Sequence, residues 1–201
     1  MSVPAPAQEV EIKLPLPSAA AGRRMLRQQG FHVVRRRAFE ANTVFDTPSH
    51  KFRKRGELLR LREVAGRAVL TYKGPAVAGK HKTRPELELE ISDAEAFSLI
   101  LKHLGLRPVF RYEKYRTEYS TDEAGIATLD ETPIGVFLEL EGSVDWIDHA
   151  AARLGFKESS YITDSYGRLF LEHCRRKKVQ ATHMVFSESG ETVPSPPQGG
   201  V

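Results

Sequence analysis

The sequence predicts an α+β fold, mainly antiparallel β, in which about eight strands close into a barrel flanked by a few helices. Three observations predict it. Charged residues alternate with apolar ones in strand after strand, from Glu9-Val10-Glu11-Ile12-Lys13 to Leu138-Glu139-Leu140-Glu141. Short turns separate most of these segments, and antiparallel closure is the economical way to hide their edges. The 201 residues contain no internal repeat and no dividing linker, so one domain is expected.

The elements follow in order. Residues 8–14 read as a first strand, ended by Pro15 and Pro17. Ser18 is an N-cap for a helix over 19–29, which Gly30 closes. Residues 31–46, rich in Val, Phe and Thr, read as two strands around 36–41. Thr47-Pro48-Ser49 is a turn, and 51–56 a basic loop. Strands at 57–63 and 67–73 make a hairpin around Ala65-Gly66, and 82–91 is a long alternating strand beyond the 74–79 loop. Ser92-Asp93-Ala94-Glu95 reads as a capping box for a helix running to Leu104 and stopped by Gly105. A strand over 108–121 precedes a second hairpin, 124–130 and 136–142, turned at 132–135. Helices over 145–154 and 164–175 complete a domain spanning 8–175. Residues 1–7 are expected to be a flexible N-terminus. Residues 176–201, with Ser, Gly and Pro and little to bury, are expected to be disordered.

Bulk composition narrows the function classes. Hydrophobic residues make up 40% and charged residues 28%, with a net charge of +4 and a pI near 9.2, which favours anionic partners. The single cysteine, Cys174, excludes an intrachain disulfide. No apolar run approaches the ~20 residues that span a membrane. The N-terminus has neither the basic nor the apolar region of a signal peptide, so a cytoplasmic location is expected. The histidines share no zinc-ligand spacing, and the 74–79 loop lacks the Gly-Lys-Ser/Thr end of a P-loop.

The charged faces carry the functional signal. Glu9, Glu11 and Lys13 share one face; Arg60 and Arg62 another; then Thr71 and Lys73. Lys82, Arg84, Glu86, Glu88 and Glu90 line up against Leu87, Leu89 and Ile91. Lys114, Arg116 and Glu118 follow, then Thr128 and Asp130, and finally Glu139 and Glu141. For any one strand, a sheet with one wet face explains the pattern. Repetition from strand to strand points instead to a barrel with a charged lumen and an apolar outer wall. Converging Arg and Lys side chains can surround a polyphosphate. Carboxylates beside such a polyanion would repel it unless a hard divalent cation lies between them.

Further motifs make the reading specific. Glu9-Val10-Glu11-Ile12-Lys13 matches an ExExK signature, and in order after it come Val44-Phe45-Asp46-Thr47-Pro48, Leu59-Arg60-Leu61-Arg62 and Leu70-Thr71-Tyr72-Lys73-Gly74-Pro75. Lys82-Thr83-Arg84, Phe137-Leu138-Glu139-Leu140-Glu141-Gly142 and Ser165-Tyr166 complete the series. The chain thereby resembles the CYTH family, the triphosphate tunnel metalloenzymes, and within it the class IV adenylyl cyclase branch. The resemblance implies an eight-stranded antiparallel tunnel binding a triphosphate. It implies Glu9, Glu11, Glu139 and Glu141 as metal ligands for Mg2+ or Mn2+, and Lys13, Arg60, Arg62, Lys73, Arg84, Lys114 and Arg116 as phosphate ligands. Lys13 and Asp130 would take catalytic roles. Glu86, Glu88 and Glu90 exceed what a tunnel needs, so at least one is structural.

Two reactions compete under that resemblance. A cyclase converts ATP to cyclic AMP and pyrophosphate; a triphosphatase hydrolyses inorganic tripolyphosphate, a nucleoside triphosphate or thiamine triphosphate. A non-catalytic polyphosphate- or nucleotide-binding module is the third class, but it does not need the four glutamates. The partner is thus a nucleoside triphosphate or inorganic triphosphate, with no membrane and no nucleic acid expected, and a homodimer compatible with the chain. A nucleic-acid groove would interleave aromatics with its basic residues, where these strands place carboxylates. Tyr161 and Tyr166 read as core packing, and Cys174 as inert.

Overall fold

The computed structural model describes residues 7–121 and 124–187. Its strands are β1 (Ala7–Leu16), β2 (His32–Asp46), β3 (Leu58–Val64), β4 (Arg67–Lys73), β5 (Lys82–Ile91), β6 (Arg107–Ser120), β7 (Gly125–Thr132) and β8 (Gly135–Gly142). Its helices are α1 (Ala19–Gln28), α2 (Lys51–Lys54), α3 (Ala94–His103), α4 (Val144–Arg153) and α5 (Tyr166–Lys177). The strands close antiparallel in the order β1-β5-β4-β3-β2-β6-β7-β8, the predicted barrel.

Several boundaries differ from expectation, each for a local reason. β1 runs through Pro15 to Leu16. Beyond Glu11 it has left β5, and the backbone of Lys13 exchanges hydrogen bonds with Ile162 instead. The missing N–H of Pro15 points to that same unladdered side, so it breaks no strand pairing. Residues 32–46 form one strand, not two, because β6 pairs along its whole length and register shifts at Val33/Arg35, Arg35/Ala38 and Val44/Phe45 bend it without ending it. The expected loop at 51–56 contains the single turn α2. The carboxylate of Asp46 accepts from the N–H groups of Thr47, Phe52 and Arg53 and so caps that turn. Asp93, not Ser92, caps α3. Ser143 caps α4, which starts at Val144, one residue before the expected Asp145. The β7–β8 turn tightens to Pro133-Ile134, with Gly135 at φ 139.

Three apolar clusters pack around the barrel. The outer faces of β1, β7 and β8, among them Ile12, Leu14, Leu129, Leu138 and Leu140, are buried under α1 and α4 through Leu26, Trp146 and Ile147. Fully burying such side chains contributes roughly 1.5–3 kcal/mol each. Gly125 lets the Trp146 ring lie against β7, since a Cβ there would meet it at 2.2 Å. The outer faces of β2, β3 and β4 pack under α3 through Phe45, Leu61, Ala68 and Leu101. The third cluster lies at one end of the barrel: Tyr166, Phe170 and Cys174 of α5 meet Tyr112 and Phe137, which point along the lumen side of β6 and β8. Helix α5 therefore closes that end.

The expected disordered tail is corrected as far as the described residues reach. After α5 the chain turns back at Lys178, and Met184, fully buried, hydrogen-bonds through its backbone to Arg111 and Glu113 of β6. Phe186 packs on Tyr115. A buried Met and a ring contact supply the apolar area that composition alone concealed. Residues 1–6 and 188–201 lie outside the described residues. No helix among the described residues is long and apolar enough to cross a membrane.

Candidate functional site

The alternation that faces Ile12 and Leu14 outward turns Glu9, Glu11 and Lys13 into the lumen, where all three are buried. The same parity brings in Arg60 and Arg62 of β3, Thr71 and Lys73 of β4, Lys82, Arg84 and Glu86 of β5, Lys114 and Arg116 of β6, Asp130 of β7, and Glu139 of β8. Thus every predicted phosphate-binding residue lies in one enclosed space. Glu141 stands where water reaches it, beyond Glu139 on β8. Glu88 and Glu90 are both exposed on β5, whereas Glu86 is half-buried.

The cations and carboxylates are woven together. On the β1 side, Glu9 faces Lys73 and Arg84, Glu11 faces Lys13 at 3.1 Å and Lys82 at 2.7 Å, and Lys13 also reaches Glu139 at 3.2 Å. On the β6 side, Asp130 receives Lys114 at 2.9 Å, two nitrogens of Arg116 at 2.6 and 2.7 Å, and the Tyr166 hydroxyl at 2.7 Å. Arg116 also reaches Glu139. Across the lumen Arg60 donates to the Tyr112 hydroxyl and to Thr71, while Arg62 and Thr71 donate to Glu88.

These contacts set the protonation states. Burial alone would raise the carboxyls of Glu11 and Glu139, but Lys13 with Lys82, and Lys13 with Arg116, hold both well below the usual carboxylate range. Glu9 is lowered in the same way, with Lys73 and Arg84 overcoming burial and Glu11. Burial likewise opposes the charge on Lys13, yet Glu11 and Glu139 raise it above an ordinary lysine, so it stays an ammonium. Lys82 goes the other way: burial, with Lys13 and Arg84 nearby, pulls it down to about 8 despite Glu11. Glu141 is pushed up to about 7, by desolvation first and then by Glu9, Glu11 and Glu139.

The sequence reading missed several lumen residues. Glu40 and Asn42 of β2 are 4% and 0% exposed and face the cations of β3 and β6. Splitting 31–46 into two strands hid their alternation. Lys82 shares a face with Arg84 and was legible there. Tyr166 packs against Tyr112 and Phe137 as expected, but its hydroxyl also reaches Asp130, and its ring lies 5.4 Å from Lys13 and 5.3 Å from Lys114. Tyr161 sits outside the lumen, donating to Asp148, which also takes Lys80 and His81.

The donor chemistry suits a hard divalent cation, since Glu9, Glu11, Glu139 and Glu141 are all oxygen donors, and desolvation together with the neighbouring acids raises Glu141 against the opposing charge of Lys73. Among the described residues no three Asp, Glu, His or Cys side chains are already gathered at metal-binding distance. Three of the four glutamates are occupied by lysines and arginines instead.

Comparisons with known proteins agree with this geometry. The family model described as the CYTH domain matches residues 7–166. A Methanocaldococcus jannaschii protein named "Putative adenylate cyclase" is 34% identical over 140 residues, 70% of this chain and 79% of its own. The structure of a "putative adenylate cyclase" from Vibrio parahaemolyticus superposes with a TM-score of 0.72 at 21% identity, over 81% of this chain and 97% of that one. A Hippeastrum "putative adenylyl cyclase" superposes with a TM-score of 0.60 at 18% identity, over 82% and 95%. Likeness to these last two is a likeness of fold.

Proposed function

Because the chain belongs to the CYTH family, we propose that it is a divalent-metal-dependent enzyme acting on a triphosphate, of the adenylyl cyclase type, converting ATP to cyclic AMP and pyrophosphate. The observation that carries this reading is the convergence of Lys13, Arg60, Arg62, Lys73, Arg84, Lys114 and Arg116 on one enclosed lumen. In such a low-dielectric space, fixed cations can neutralise charge that develops on phosphoryl oxygens. Lys13, held as an ammonium, contributes charge and not a proton acceptor. The name of the M. jannaschii relative supports the cyclase reading.

Each lumen cation is already paired with a carboxylate. A triphosphate competes with Glu9 for Lys73 and with Glu139 for Arg116, and displaces them where it takes their place. The released carboxylates then need a new cation, because an unpaired buried charge costs several kcal/mol. Mg2+ or Mn2+ held by Glu9, Glu11, Glu139 and Glu141 fills that role, and such an ion supplies Lewis-acid polarisation of the phosphate oxygens. Cyclisation would join the ribose 3′-oxygen to the α-phosphorus and expel pyrophosphate.

A second reading is hydrolysis of the terminal phosphate. The Hippeastrum neighbour, described as revealing a dominant triphosphatase activity, favours it. One assay decides: the protein is incubated with ATP and separately with tripolyphosphate, each with Mg2+ or Mn2+, and the products are resolved. Cyclic AMP with pyrophosphate supports the cyclase, and orthophosphate the hydrolase. No turnover of either would sink both. Glu11→Gln is expected to lower turnover at least about tenfold, ~1.4 kcal/mol of barrier; an unchanged rate at saturating metal removes Glu11 from the site.

A further inference from the structure

The lumen wall of β2 carries polar atoms that phosphate cannot satisfy. Asn42 is fully buried, and neither its Nδ2 nor its Oδ1 has a hydrogen-bond partner. Both amide atoms are unpartnered, so the observation is independent of which way the amide is drawn. Two residues away on the same face, Glu40 Oε2 accepts no hydrogen bond; Lys114 Nζ pairs with it at 3.6 Å, beyond hydrogen-bond reach, and donates to Asp130 at 2.9 Å. Register places Asn42 opposite Arg62 on one side and Tyr112 on the other. On the facing strand, Nε of Arg60 and of Arg62 are also buried without partners.

These orphans divide into two kinds. The Arg60 and Arg62 Nε groups are donors, and phosphate oxygens, which only accept, would satisfy them. Asn42 Oδ1 and Glu40 Oε2 are acceptors and need donors, which an ionised triphosphate does not have. Leaving such groups unmet costs about 1–3 kcal/mol each, so a buried pair of them side by side needs O–H or N–H donors, which water supplies in the free protein and a ligand can supply in its place. A ribose hydroxyl or a base amino group does so, and the Asn42 Nδ2 can donate to an acceptor on the same edge.

We propose that Glu40 and Asn42 form a subsite for the nucleoside part of a nucleoside triphosphate, adjoining the Arg60–Arg62 phosphate grip, and that they set the preference for nucleotide over simple triphosphate. This rests on the triphosphate reading of the lumen and adds to it the residues that recognise the organic group. A pocket built to hydrogen-bond a substrate discriminates strongly against an analogue that lacks the matching groups.

The test measures calorimetric affinities for ATP, methyl triphosphate and tripolyphosphate in Mg2+. The wild-type protein is expected to bind ATP at least about tenfold more tightly than methyl triphosphate, ~1.4 kcal/mol. Asn42→Leu, close in size and apolar, is expected to remove that preference while holding methyl triphosphate within about twofold of wild type. Equal wild-type affinities for ATP and methyl triphosphate overturn the subsite and leave the triphosphate reading standing. Equal losses for all three ligands in Asn42→Leu assign Asn42 a purely structural role and also overturn it. Binding of none of the three defeats the triphosphate reading itself. If Asn42→Leu does not fold, the wild-type comparison decides alone.

Discussion

Asp130 and Glu141 occupy neighbouring strands of one lumen and meet opposite surroundings. Asp130 is fully buried and accepts from Lys114, Arg116 and the Tyr166 hydroxyl. Glu141, at a position that water reaches, has no cation in ion-pair range among the described residues and faces the negative charge of Glu9, Glu11 and Glu139. Strand alternation makes both simply inward acids. Their surroundings separate them: Asp130 is a clamp that holds Lys114 and Arg116 and ties α5 to the barrel, whereas Glu141 stands beside three other acids with Lys73 as the nearest opposing charge.

The largest expected effect tests the clamp. Asp130→Asn keeps the shape but strips Lys114 and Arg116 of their shared counter-charge. Breaking a buried pair in this way costs about 3–5 kcal/mol. Urea denaturation should register that loss as a lower midpoint with an unchanged slope. Lost turnover with stability held within ~1 kcal/mol would instead make Asp130 a chemical group, and the contrast with Glu141 would collapse.

Glu141→Gln should behave in the opposite sense. Mn2+ affinity, read by calorimetry without substrate turnover, is expected to fall about tenfold, ~1.4 kcal/mol, while the fold loses nothing. The pH dependence sharpens the point. The ordinary carboxyl value is 4.5 and the folded Glu141 is pushed up to about 7, so the folded protein resists ionisation. Wild type therefore loses stability as pH rises from the unfolded value through the folded one, and Glu141→Gln lacks that loss. Water at the side chain screens part of the effect, leaving on the order of 1 kcal/mol at pH 8, ~2–4 °C in Tm. A variant less stable than wild type at pH 8 would show that Glu141 has a stabilising partner after all.

How much of this was legible before the fold was known differs by residue. Period-two alternation located Glu9, Glu11, Lys13, Arg60, Arg62, Lys73, Lys114 and Arg116 on inner faces, because a closed barrel with an apolar exterior leaves charges one place to go. The same rule failed at Glu40 and Asn42. The sequence reading split 31–46 around 36–41, and pairing with β6 through successive register shifts holds it in one strand. Partner choice was not legible at all. Nothing in the local sequence distinguishes Asp130, with three partners, from Glu141, with no cation in ion-pair range among the described residues, since the partners of Asp130 come from β6 and α5. The docked segment around Met184 escaped for a similar reason: one buried Met against β6 outweighs a polar composition.

The smallest expected effect isolates the link between the clamp and α5. Tyr166→Phe retains the ring that packs on Tyr112 and Phe137 and lies under Lys13 and Lys114, and removes only the hydroxyl that donates to Asp130. Burial, Asp130 and Glu139 hold that hydroxyl protonated far above the usual tyrosine range, so it is a donor at every accessible pH. Asp130 keeps Lys114 and Arg116, so the loss should be one hydrogen bond, about 1 kcal/mol or ~2–4 °C in Tm. The KM for a triphosphate should rise a few-fold (roughly 0.5–1 kcal/mol) as Asp130 positions the two cations less firmly. Mn2+ affinity should not move, because the hydroxyl donates its hydrogen bond to Asp130 and to none of the four glutamates. If Tyr166→Phe weakened Mn2+ as much as Glu141→Gln does, the clamp and Glu141 would be one connected network, and the two acids could no longer be assigned separate work.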